Sequence, residues 1–146
     1  LAKELLAEAG DKIVLPSDHV VASRFDAATE RKTLPIAEVP EGWMGLDIGP
    51  KTVATYRDYI LGAKMVLWNG PMGVFEMDAF AQGTVQIARI VSESEATSVV
   101  GGGDSVAAVV HAGVADRITH ISTGGGASLK FLAGEVLPGV EVLTNA

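Results

Sequence analysis

Apolar positions along the 146 residues change period from segment to segment. Leu1, Leu5, Leu6 and Ala9 fall on one helical face, and Gly10 stands where a helix ends. Lys12 to Leu15 reads as a short strand stopped by Pro16, and His19 to Ala22 as a second strand. Arg24 to Pro40 turns polar, with Pro35 and Pro40, and predicts an excursion or hairpin. Thereafter strand and helix alternate. Trp43 to Ile48 predicts a strand, Gly49-Pro50 a turn, and Val53, Tyr56, Ile60 and Leu61 a helical stripe ending at Gly62. A strand at Met65 to Trp68, a loop at Asn69 to Phe75 and a helix at Met77 to Ser94 follow. Two further units predict strands at Ser98 to Val100 and Ile118 to Ser122, with helices at Ser105 to Ala112 and Ala127 to Ala133. This order predicts an α/β, Rossmann-like three-layer domain with a mainly parallel sheet, whose site lies at the carboxyl ends of the strands.

Glycine changes that picture most. Six of the 17 glycines form two triplets, Gly101-Gly102-Gly103 and Gly124-Gly125-Gly126, each between a strand and the next helix. A backbone without side chains admits a ligand closely, and the first amides of a helix face an anion, so the triplets point to phosphate. A tight turn with no ligand is the bland alternative. Neither triplet carries the third glycine of a dinucleotide fingerprint or the Lys-Ser/Thr pair of a P-loop. No Lys or Arg lies in the triplets or in Asn69 to Phe75, so these loops offer dipoles but no full positive charge.

Composition narrows the class. With 18 acidic and 11 basic residues the net charge is -7, the wrong sign for a nucleic-acid partner. Cysteine is absent, which removes disulfides and thiolate metal sites. No apolar run has the length of a membrane span and no leader pattern precedes the first helix, so the expectation is a soluble, cytoplasmic protein without a membrane partner. Because the sequence starts at Leu1 within a helical pattern, the expectation is also that residues 1–146 are an incomplete domain.

Three residues next to these loops bear chemistry. Asp104 is a hard oxygen ligand placed to bind Mg2+ beside substrate phosphates, or else the cap of the following helix, a task Ser105 could share. Asn69 offers a side-chain amide at a strand end. Glu76 could accept ribose hydroxyls or simply complement a helix dipole. Gly45, inside a strand, suggests the close approach of a flat ligand. His19, His111 and His120 show no metal-ligand spacing, and Trp43 and Trp68 read as packing residues.

The segments Gly42 to Pro50, Leu67 to Glu76, Gly101 to Ser105, His120 to Leu129 and Leu137 to Val140 resemble, in order and spacing, the carboxyl-terminal part of phosphoglycerate kinases. That family transfers a phosphoryl group between 1,3-bisphosphoglycerate and MgADP, giving 3-phosphoglycerate and MgATP. The resemblance implies an adenine pocket at Gly45, Leu46 and Val74, and a ribose contact at Glu76. It implies a phosphate border at Asn69, Pro71, Gly102, Gly103 and Ser105, and Mg2+ on Asp104. It assigns Gly103, Thr123, Gly124, Gly125 and Gly126 to the phosphoryl group in flight. It also implies that an amino-terminal domain absent from these residues holds the triose phosphate and that the stabilising lysines lie upstream. The parent would be monomeric and this segment alone inactive. Lys130 stands where an acid is common in the family. A non-catalytic nucleotide- or phosphate-binding module using the same loops is the alternative reading.

Overall fold

The structure, a computed structural model, describes residues 1–122 and 124–143. Its elements in chain order are α1 (Ala2–Ala9), β1 (Asp18–Ala22), β2 (Arg31–Pro35), β3 (Met44–Ile48), α2 (Pro50–Gly62), β4 (Met65–Asn69), α3 (Gln82–Glu93), β5 (Thr97–Gly101), α4 (Gly103–His111), β6 (His120–Ser122), α5 (Gly126–Leu132) and α6 (Pro138–Glu141).

The α/β alternation is as the pattern predicts. Strands β4, β5 and β6 form a parallel sheet, in that order, with Asn69, Gly101 and Ser122 level at their carboxyl ends. Trp68 and Val100 turn one face toward Val53, Ile87, Val91 and Val109, so α2, α3 and α4 cover that side. On the other face Met65, Leu67 and Val99 border a cavity of about 460 Å3 whose far wall is Phe131 and Leu132 of α5. Helices thus flank the sheet in three layers.

The remaining strands do not join it. They form a second, antiparallel sheet in the order β2-β1-β3, which strand and helix alternation cannot reveal, because both pairings of β1 are antiparallel. The polar excursion is the hairpin arm β2, whose residues are exposed except for half-buried Leu34. Along β3 the register shifts by one residue: Val20 faces Asp47 and Val21 faces Gly45, so Leu46 has no opposite partner. That is the count of a β-bulge.

Other boundaries depart from the sequence pattern. Lys12 to Leu15 is not a strand; Gly10–Lys12 is a 3-10 turn and the next residues run without regular structure. Val14 gives its carbonyl to the Tyr56 hydroxyl instead of to a ladder. Met77 does not open a helix either: Asp78–Phe80 is a 3-10 turn that drops Phe80 fully into the core, and α3 starts after it.

The joint between β1 and α2 is a buried polar hub. The Asp18 carboxylate, 4% exposed, accepts from the backbone N–H groups of Lys51 and Thr52 at 3.0 and 2.7 Å and from the Thr52 hydroxyl at 2.7 Å. It caps a helix 33 residues away in sequence, where Gly49 itself has no capping side chain. A Cβ on Gly49 would collide with that carboxylate, which is why glycine stands there. Burial raises the Asp18 carboxyl, yet the Thr52 hydroxyl, the two backbone amides and the Lys51 charge outweigh it and hold the group below its ordinary range.

Candidate functional site

Three loops leave the parallel sheet at one level, and their glycines adopt the backbone those turns require. Gly70, Gly102 and Gly125 have φ of 95°, 91° and 45°. Gly102 occupies the cap position of α4 and Gly125 that of α5, neither with a side-chain cap. Asp104 is therefore not the cap: it is the second residue of α4, exposed, with no hydrogen bond or ion pair to any described residue. Ser105 does not cap the helix either. Its buried hydroxyl accepts from the Gly70 amide at 2.6 Å and so ties the first triplet to the loop after β4.

Asn69 lies exposed between these loops. A Cβ on Gly101 or Gly102 would meet its side-chain nitrogen at 3.5 or 3.3 Å, so the glycines leave room for the amide. In the second triplet the Ser122 and Ser128 hydroxyls pair at 2.6 Å, and the Gly124 amide donates to Ser122 Oγ at 3.3 Å. Gly103 and Gly126 have open space where a Cβ would be. Thr123 lies outside the described residues.

A second group of predicted residues is assembled on β3. The unpaired position at Leu46 leaves its carbonyl to accept from Val74 N–H at 2.8 Å, joining the loop before Glu76 to the strand. The Leu46 side chain points into a small core with Ala22 and Phe80, against which Val74 packs, so it presents backbone rather than side chain to any ligand. Gly45 has a nearer reason to be glycine than a ligand: a Cβ there would lie 3.3 Å from Nδ1 of buried His19. Glu76 is exposed, and Pro71 is half-buried in the linking loop. His111 ends α4 edge-on to Phe75, and His120 is exposed on β6.

Sequence reasoning missed Asp47. It is 5% exposed, accepts from Gly83 N–H at 2.7 Å and Ile48 N–H at 2.9 Å, and Cβ atoms on Gly73 or Gly83 would collide with it. The available signal was a carboxylate in an apolar strand. Burial pushes its carboxyl up to about 6, the two amides offsetting part of the effect. An acid raised in the folded state binds more protons there than in the unfolded chain between about pH 4 and 6, so its contribution to stability grows as pH falls through that window. Lowering pH from 7 to 5 should add about 1 kcal/mol from Asp47, a gain that denaturant melts of Asp47→Asn would lack.

Comparison with known proteins gives the same direction throughout. The family model described as phosphoglycerate kinase matches residues 1–135. The chain is similar to the phosphoglycerate kinases of Rubrobacter xylanophilus, 61% identical over 97% of this chain and 36% of that protein, and of Levilactobacillus brevis, 54% identical over 99% of this chain and 36% of that one. Among solved structures it resembles phosphoglycerate kinase from Coxiella burnetii, with a TM-score of 0.91 and 39% identity over 97% of this chain and 38% of the other. It also resembles the enzyme from Pyrococcus horikoshii, with a TM-score of 0.85 and 40% identity over 98% of this chain and 35% of the other. The chain thus spans little more than a third of the length of its relatives, and over that span it belongs to the phosphoglycerate kinase family.

Proposed function

We propose that these residues supply the nucleotide side of a phosphoglycerate kinase: reversible phosphoryl transfer between 1,3-bisphosphoglycerate and MgADP, giving 3-phosphoglycerate and MgATP. The observation that carries this reading is the level alignment of Asn69, Gly101 and Ser122, which gathers the Asn-Gly loop and both triplets at one end of the sheet. Gly45, Leu46 and Val74 border the adenine through backbone and small apolar surface, and Glu76 takes the ribose. Asn69, Pro71, Gly102, Gly103 and Ser105 border the nucleotide phosphates. Gly103 and the second triplet, Gly124 to Gly126, offer backbone amides to the phosphoryl group, with Thr123 assigned by family resemblance alone.

Asp104 fits a magnesium ion carried by the nucleotide. It is an unengaged carboxylate at the start of α4, and magnesium takes one or two carboxylates with the rest of its shell from phosphates and water. When bound, the ion would neutralise phosphate charge that three loops without Lys or Arg cannot. The chain's own part is to position the phosphates and to present helix-end dipoles to the equatorial oxygens.

In this reading the triose phosphate belongs to an amino-terminal domain and the lysines that stabilise the transferring group to the start of the nucleotide domain, both outside these residues, with the parent monomeric and cytoplasmic. No helix among the described residues is long and apolar enough to cross a membrane. The 146-residue chain should therefore give no turnover of 3-phosphoglycerate with MgATP in a coupled assay, while the complete polypeptide does. Turnover by the 146 residues alone, or none by the complete polypeptide, would overturn the reading.

A further inference from the structure

The loop between Gly70 and Glu76 carries Pro71, Val74 and Glu76, yet has little regular structure of its own. Its backbone is held from outside at three places. Gly70 N–H goes to Ser105 and Val74 N–H to the Leu46 carbonyl. Between them, Met72 and Gly73 N–H both go to one atom, the Thr84 hydroxyl, at 3.1 and 3.2 Å. Thr84 is completely buried on the first turn of α3, and the amide of its neighbour Gly83 is bound by Asp47 of β3. Asp47 also fills the space a Gly73 side chain would need.

We infer that Thr84 is a positioning residue, which sets the loop bearing Val74 and Glu76 against β3 and so fixes the nucleoside half of the site. This rests on the nucleotide-binding role proposed above. A hydroxyl accepting two amides has no apolar substitute: valine keeps the shape and leaves both N–H groups without an acceptor. The loop then loses its middle anchor while the loop ends and the triplets keep theirs. Nucleotide affinity should fall, and the triose-phosphate side, built elsewhere, should not notice.

The test is steady-state kinetics of the complete polypeptide, with melting curves and MgADP calorimetry alongside. Thr84→Val should raise KM for the nucleotide about tenfold with KM for 3-phosphoglycerate unchanged, and Thr84→Ser, which keeps the hydroxyl, should restore KM to within about twofold. Should Thr84→Val not fold, Asp47→Asn decides: with one acceptor fewer for two amides, it should show the same split at about threefold. Equal changes in both KM values, no change in either, or no restoration by serine would overturn the inference. Absence of MgADP binding to the unsubstituted protein would overturn the nucleotide reading and the inference with it.

Discussion

Asp104→Asn in the complete polypeptide should lower kcat by about 100-fold and shift the magnesium dependence to higher concentration, while moving the melting temperature by no more than about 3 °C. The separation follows from what Asp104 does not do. It is exposed, is not the helix cap, and makes no hydrogen bond or ion pair with a described residue, so the folded protein loses only its favourable position near the α4 dipole. That term is about 0.3–1 kcal/mol. The loss in rate, by contrast, would come from a charge held beside developing charge in a loop region with no Lys or Arg of its own. Unchanged rate and magnesium dependence would remove the metal role and leave Asp104 as a dipole complement only.

Asp18→Ala should cost the fold about 3 kcal/mol, because it strands the Lys51 and Thr52 amides at a largely buried joint, the Thr52 hydroxyl keeping the Asp18 backbone carbonyl as its acceptor. For a domain of this size that is a fall of about 10 °C in melting temperature. The pH dependence has a fixed sign. A carboxyl held below its ordinary range stabilises fully above the unfolded value near 3.9, and the contribution is lost as pH falls through the lower folded value. The difference between the parent and Asp18→Asn, measured by urea melts, should therefore be largest at neutral pH and close at strongly acid pH. Asp47 works in the opposite sense, so the two substitutions should bend the stability profile in opposite directions between about pH 6 and pH 3.

How much of this was legible in the chain depended on whether the signal was local. The triplets were readable because glycine next to a buried strand and a helix start is a short-range pattern, and the structure puts each where a turn with positive φ is needed. The parallel units from Met65 onward were readable for the same reason. The antiparallel sheet was not, since alternation along His19 to Ala22 says which residues are buried but not that β2 and β3 flank it. Lys12 to Leu15 misled because β-branched residues make a strand only where an edge receives them. Asp18, Asp47 and Thr84 escaped notice because each binds at least one backbone amide from a segment 11 to 36 residues away. The glycines at 49, 73 and 83, which make room for those carboxylates, are the trace they leave in the sequence.

The register shift in β3 sets a rule for how this strand can vary in length. Leu46 is the extra residue opposite Val20 and Val21, and its carbonyl, outside the ladder, is the one Val74 uses. Removing Leu46 would restore an even ladder with Val21 still opposite Gly45, and would delete the acceptor that Val74 uses. A deletion there would thus detach the Val74 loop from the strand even where every remaining side chain is kept. Among homologous genes, length changes should collect in the hairpin arm near Arg31 and leave Met44 to Gly49 at constant count.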